Sequence, residues 1–248
     1  MGQPNALRVA ILKNLPKQAK GSSEVVLSIT NLVKKSLPDA RIENFNPIDG
    51  GDFPEAQNFD LIILTGGLSD LTIPEESMDG WIQDTIRFIR RTTATYPHVK
   101  MLGICWGHQI ICHAFGGRIG TRQEGPLVGI DTIHLNSTGK KFLSTVTDSW
   151  RMYKFHKRVV RTPPANLVEL SPKHEIFVSR DEQILTLQAH PEMTASIIED
   201  LLKTSDVHGS YFSGKSADQI GVLLEETGKD QDGRDVWDKI MCWATSHK

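Results

Sequence analysis

From residue 7 to residue 115, short apolar runs alternate with longer stretches whose apolar residues recur every three or four positions. Strands and amphipathic helices are therefore expected in turn, the pattern of a parallel sheet covered by helices. Strands are predicted at 7–12 and 41–45. Between them, Gly21-Ser22-Ser23 precedes Val25, Leu27, Ile29, Leu32 and Val33, an amphipathic helix with a serine cap that stops near Pro38. The segment FDLIILTGG, residues 59–67, runs through four large apolar residues into paired glycines, as a central parallel strand buried on both faces does. Its loop then lies at the carboxyl edge of the sheet. A helix over 78–95 carries Trp81, Ile82, Ile86, Phe88 and Ile89; a strand at 99–104 and a helix at 106–115, closed by Gly116-Gly117, follow.

Past residue 118 the texture changes. Segments 127–135, 152–160, 175–179 and 184–188 read as strands joined by turns, with Pro163-Pro164 and Pro172 as breakers. They predict antiparallel strands flanking the parallel core. Helices are expected again at 194–204 and 236–244. No internal repeat or low-complexity linker divides the chain, so residues 1–248 read as one domain.

Composition narrows the function classes. A chain of 248 residues with 39% hydrophobic content buries roughly 70 to 75% of its unfolded surface without a disulfide or metal staple. Its net charge of −2 lacks the basic field that draws proteins to nucleic acid or anionic lipid, which leaves small-molecule or protein partners. Three cysteines without a CxxC spacing fit a reducing compartment. With no leader-like start and no long apolar run, the expectation is a cytoplasmic protein without membrane partners. Ala6 stands where a myristoylation pattern starting at Gly2 needs Ser or Thr. Cys112 and Cys242, the latter among Ile240, Met241 and Trp243, read as core packing.

Metal and cofactor signals are weak. There is no HExxH, and His108 and His113 lie five apart on a predicted helix, off a common face. In DQDGRD, residues 230–235, glycine falls at the fourth place rather than the sixth of a calcium loop, so a solvated turn capping the last helix is expected. No GxxxxGK[ST] phosphate loop appears. No metal or other cofactor is expected.

The chemistry concentrates in GICWGHQ, residues 103–109. Gly103-x-Cys105-x-Gly107 has the form of a nucleophile elbow, in which a strand turns abruptly into a helix and the glycines permit backbone crowding around a strained central residue. Cys105 then lies at a helix N-terminus, where the dipole favours thiolate. Taken alone, the segment fits a buried core cysteine equally well. The deciding feature is QAHPE, which puts His190 and Glu192 directly after a short apolar strand. A thiol nucleophile needs a base and the base an orienting acceptor, so Cys105, His190 and Glu192 form a candidate triad. Acyl transfer also needs donors for the oxyanion. The backbone N–H of Trp106 is one candidate and Gly67, in the Gly66-Gly67 turn, the other.

Together these residues resemble the class I glutamine amidotransferase superfamily, whose members carry a G-x-C-x-G-H-Q elbow and a late H-P-E. ILTGGLSDLTIPEESMDGWIQDTIRFIR and YKFHKRVVRTPPANLVELS extend the resemblance over most of the chain, toward the stand-alone branch related to the glutaminase half of GMP synthase. The resemblance implies an α/β fold of the flavodoxin-like, three-layer α/β/α kind, with a mostly parallel central sheet and extra antiparallel strands. It implies that Cys105 attacks a γ-glutamyl carbonyl to give a thioester that water resolves. It also puts Gly66, Gln109, His156 and Arg158 around a small γ-glutamyl substrate. One position departs from the pattern: the branch's H-x-D-x-V segment reads His156-Lys157-Arg158-Val159, with arginine in place of the acid. If that acid recognises the substrate's amino group, Arg158 repels it and signals an altered substrate.

Three functions stay open on the sequence. The leading one is a stand-alone hydrolase of γ-glutamyl amide or peptide bonds, acting on glutamine, glutathione or a glutathione conjugate. The others are a glutaminase subunit delivering ammonia to a separate synthetase subunit, and a degenerate, non-catalytic binding module.

Overall fold

The structure is a computed structural model that describes residues 6–19, 21–202, 211, 225 and 228–246. Its first half is β1 (Arg8–Asn14), α1 (Ser22–Ser36), β2 (Arg41–Phe45), β3 (Leu61–Gly67), α2 (Gly80–Thr95), β4 (Lys100–Ile104) and α3 (Trp106–Ala114). There follow β5 (Arg118–Thr121), β6 (Leu127–His134), α4 (Ser137–Phe142), β7 (Ser149–His156) and β8 (Arg158–Thr162). Then come β9 (Leu167–Ser171), β10 (Ile176–Ser179), β11 (Ile184–Leu187), α5 (Ala195–Leu202) and the last helix described, α6 (Gly233–Thr245).

One seven-stranded sheet, in the order β2-β1-β3-β4-β11-β10-β9, organises the molecule. Its first five strands are parallel, and β10 and β9 add an antiparallel margin. The expected flavodoxin-like α/β class, with extra antiparallel strands, is what the chain adopts. Alternation along each strand divides the core. Val9, Ile11, Leu61 and Ile63 pack with α1 and α6 on one face, while Ala10, Leu12, Ile62 and Leu64 pack with α2 and α3 on the other. Burial on both faces explains why these strands read as continuous apolar runs. Two antiparallel ribbons, β5 with β8 and β6 with β7, stand outside the sheet.

Several expectations need correction. The helix at α1 has no serine cap: Gly21, at φ 77, precedes it, and Ser22 lies inside it with its hydroxyl directed to the Leu15 carbonyl. The strand predicted over 152–160 is two strands, β7 and β8, which break at Lys157 because they pair with different partners. Cys242 is exposed, since Ile240, Met241, Trp243 and Ala244 take the inward face of α6. Asp232 precedes α6 without capping it; its carboxylate instead accepts from the Arg151 amide at 2.7 Å. The helix predicted to 204 is described to Leu202, and Thr204 lies outside the described residues. Among the described residues no helix is long and apolar enough to cross a membrane, and no cluster of three or more His, Cys, Asp or Glu gathers to hold a metal ion.

Candidate active site

Three parallel strands deliver the chemistry-bearing residues to the carboxyl edge of the sheet. β3 ends at Gly66-Gly67, β4 ends immediately before Cys105, and β11 ends shortly before His190. Cys105 sits at φ 53 and ψ −99, a strained conformation for a side-chain-bearing residue that its surroundings must enforce. The flanking glycines show how. A Cβ on Gly103 would lie 2.6 Å from the Gly107 carbonyl oxygen, and one on Gly107 would lie 2.2 Å from that of Leu64. Helix and strands therefore meet at backbone contact, and only glycine fits. The Cys105 amide donates to the Leu187 carbonyl at 2.8 Å, and the buried sulfur lies 3.7 Å from the Phe155 carbonyl oxygen.

His190 is held from two sides. Its amide donates to the Tyr153 carbonyl at 2.9 Å, and its Nδ1 donates to Glu192 Oε1 at 2.8 Å, with both side chains almost wholly buried. An ionised carboxylate only accepts, so Nδ1 keeps its proton and Nε2 is the position left to give or take one. Nε2 has no hydrogen-bond partner among the described residues. Burial opposes charge on this ring, but the negative charges of Cys105 and Glu192 outweigh it and push the imidazole up to about 10. Gly66 brings the two groups together: a Cβ there would stand 3.0 Å from His190 Cε1 and 3.8 Å from the Cys105 Cβ.

Gly67 is equally constrained, with its Cβ position 2.7 Å from the Asn14 carbonyl oxygen and 3.1 Å from Trp106 Cγ. Trp106 stacks on Trp81, ring centroids 5.2 Å apart, and donates Nε1 to the Ser69 carbonyl at 3.1 Å. Its own backbone N–H belongs to the first turn of α3, where amides lack intrahelical acceptors. Between Gly66, Gly67, Leu68, Cys105, His190 and Glu192 lies a hollow of about 20 Å³, room for a single water.

The junction of β7 and β8 forms a second wall. His156 is buried and its Nδ1 donates to the Arg158 carbonyl at 2.9 Å; burial pushes the imidazole down to about 3, so it is neutral. Gln109 donates Nε2 both to that same carbonyl and to Gln188 Oε1, each at 2.9 Å. The Gln109 amide thus staples α3 to this junction, and neither of its N–H groups is left for a substrate. Arg158 does not stand as a bare positive charge. Its Nε lies 3.0 Å from Asp70 Oδ1, and its Nη1 donates to the carbonyls of Leu68 and Ser69, the residues that follow Gly67.

Sequence reasoning missed Asp70, Asn14, Phe155, Gln188 and Tyr211. Asp70 had a local signal in the Asp-Leu-Thr turn, where Asp70 Oδ1 accepts from both the Thr72 amide and hydroxyl at 2.8 Å. Asn14 ties the ends of β1 and β3, donating its Nδ2 to the Thr65 carbonyl at 3.0 Å. Phe155 stacks on Tyr211 at 4.3 Å, a contact between distant segments that no local pattern announces. Burial and the charge of Cys105 push the Tyr211 phenol up.

Comparison with known proteins identifies the family and the fold. Residues 27–204 match the sequence profile of the family described as glutamine amidotransferase class-I. A glutamine amidotransferase-like protein of Gibberella zeae is 35% identical, over 99% of this chain and 98% of its own length. Gamma-glutamyl peptidase 2 of Arabidopsis thaliana is 28% identical over 64% of each chain. In fold, a glutamine amidotransferase of Thermotoga maritima superposes with a TM-score of 0.77 at 15% identity, over 98% of this chain and 100% of that one.

Proposed function

This chain belongs to the class I glutamine amidotransferase family, and from that premise we propose that it is a stand-alone, cysteine-dependent hydrolase of γ-glutamyl amide or peptide bonds. The observation that carries the reading is the convergence of a strained, buried Cys105 with a buried His190–Glu192 pair across Gly66. Burial excludes water from the pair, and the hydrogen bond to Glu192 orients the imidazole before substrate arrives.

The reaction runs in two halves. The Cys105 sulfur bonds to the γ-carbonyl carbon, and the oxygen that gains the electron pair is held by the backbone amides of Gly67 and Trp106, each worth about 3 kcal/mol in such sites. The C–N bond breaks as protonated His190 gives its Nε2 proton to the departing nitrogen. Water then attacks the γ-glutamyl thioester, losing a proton to Nε2, and glutamate leaves as the Cys105 sulfur is regenerated. Glu192 stabilises the imidazolium, which is present at the start of the first half and re-forms in the second. Because the hollow beside Cys105 is about 20 Å³, the side chains around it shift to admit the γ-glutamyl group, as induced fit allows. Substrate is expected to be a small molecule, and the site to lie in the cytoplasm.

The test is release of glutamate and ammonia from L-glutamine, and of glutamate from glutathione and one S-conjugate, with Cys105→Ala as control. Cys105-dependent cleavage of the peptides is the expected result. Ammonia release from glutamine alone, stimulated by a larger ATP-using protein, would instead identify an ammonia-delivering subunit. Absence of any cleavage by folded protein would overturn the reading.

A further inference from the structure

The molecule contains an internal standard for how its arginine–carboxylate pairs close. At Arg8–Asp60, Nε donates to Oδ2 at 3.1 Å and Nη2 to Oδ1 at 2.7 Å, a two-legged pair. At Arg90–Glu75, Nη1 meets Oε1 at 3.2 Å and Nη2 meets Oε2 at 3.1 Å. Both are partly exposed, so solvent does not prevent a planar guanidinium from matching a carboxylate with both legs.

Arg158–Asp70 is built otherwise. Nε approaches Oδ1 at 3.0 Å as an ion pair without a two-legged hydrogen-bonded match, while Nη1 turns to the Leu68 and Ser69 carbonyls. Nη2, the group that completes the side-on pair at Arg8, makes no hydrogen bond to a described residue. Asp70 Oδ1 accepts hydrogen bonds from Thr72 N and Thr72 Oγ1 and takes the Arg158 Nε contact, while Oδ2 accepts no hydrogen bond from a described residue. Burial works against charge on Asp70, but the Thr72 hydrogen bonds and the Arg158 charge outweigh it and hold the carboxyl below its usual range. An open cationic donor at the start of β8 and an open anionic acceptor on the loop after Gly67 thus stand side by side, both partly exposed. Leu68 of that loop lines the hollow beside Cys105, and Gln109 and His156 fix the Arg158 backbone against the elbow.

We propose that Arg158 Nη2 and Asp70 Oδ2 together recognise a zwitterionic amino-acid head group: the arginine takes the α-carboxylate and the aspartate the α-ammonium of the γ-glutamyl group. The inference rests on the γ-glutamyl reading above and deepens it. The negative charge for the ammonium comes from the loop after β3 instead of from position 158, so the arginine there adds a carboxylate contact without repelling the substrate. Both α-groups lie four bonds from the γ-carbonyl carbon, in keeping with a reader on the loop whose Leu68 lines the hollow beside Cys105.

The experiment compares three amides on wild type, Asp70→Asn and Arg158→Met: L-glutamine, glutaramate, which lacks the α-ammonium, and 4-aminobutanamide, which lacks the α-carboxylate. Asp70→Asn is expected to raise KM for glutamine about 10- to 100-fold, the worth of one charged hydrogen bond, and to leave glutaramate unchanged. Arg158→Met is expected to weaken glutamine and glutaramate alike and to spare 4-aminobutanamide. A variant that merely loosens the loop would lower all three substrates in proportion, and that result overturns the proposal. Calorimetric binding of L-glutamate, glutarate and 4-aminobutanoate to Cys105→Ala separates the two readings. Tight, Asp70- and Arg158-dependent binding of L-glutamate by a protein that cleaves nothing would break the hydrolase reading alone. Cleavage of glutamine with equal binding of all three ligands would break this inference alone.

Discussion

At the amino edge of the parallel strands, Arg8 and Asp60 close a two-legged ion pair, and buried Lys100 donates to the Trp243 carbonyl and to Ser246 Oγ. At the carboxyl edge the parallel strands lead into a cysteine with φ 53 and into buried polar atoms without hydrogen bonds to described residues, Asn14 Oδ1 and Glu192 Oε2. Each such atom, buried and unpaired, costs about 1 to 3 kcal/mol. One end of the sheet is finished for stability. The other keeps strain and open valences, which is where an attacking sulfur and a proton-carrying ring find partners in a reaction.

Breaking the carboxyl edge should remove chemistry and leave the fold. Cys105→Ala removes the sulfur but keeps the Cβ, so the strained backbone stays, and it is expected to lower γ-glutamyl hydrolysis by at least about 10⁴-fold with a melting temperature close to wild type by calorimetry. Glu192→Gln removes the charge that supports the imidazolium. It should reduce kcat about 10²- to 10³-fold and move the alkaline limb of the pH–rate profile to lower pH, because the charge of Glu192 helps raise His190. An unmoved limb would separate Glu192 from the reaction.

Smaller changes sharpen the contrast. Gly66→Ala puts a Cβ 3.0 Å from His190 Cε1, so the ring gives way by a few tenths of an ångström. About a tenfold loss of kcat is expected, since a full 1 Å displacement in such sites costs roughly 10²-fold. At the opposite edge, Asp60→Asn should leave kcat unchanged and lower stability by under about 1 kcal/mol, as a partly exposed pair does. Acid should act on the fold through His108 and His156, both pushed down to about 3 by burial. The unfolded chain protonates these rings near 6.5 and the native one does not. Their protons therefore favour unfolding as pH falls from 6.5 toward 3, while His190 is protonated in both states across that window. Denaturant midpoints measured down the pH scale should fall, and His108→Gln should reduce the slope.

The same division decides what the sequence discloses. The parallel strands are legible because burial on both faces makes them continuous apolar runs, Gly103 and Gly107 because backbone crowding leaves no other residue for those places, and Cys105 because it stands between them. His190 and Glu192 are two positions apart on one strand end, so their pairing is local. The second wall is not local. Apolar alternation continues through 152–160 and hides the break at Lys157, which arises from β7 pairing with β6 and β8 with β5. β9 was lost behind Pro163-Pro164, and α4, a short polar helix capped by Asn136 Oδ1 on Gly139 N, has too few apolar residues to show a period. Arg158 is conspicuous in the sequence only as a departure from the family pattern; that Asp70 answers it, 88 residues earlier and across the site, is a fact of folding.

Rapid-quench intact-mass spectrometry of the protein mixed with L-glutamine or glutathione tests the thioester on Cys105 directly. An adduct of γ-glutamyl mass on Cys105 is expected to form within the first turnover and to decay at the rate of glutamate release. Glutamate release with no adduct, or undiminished release by Cys105→Ala, would contradict it.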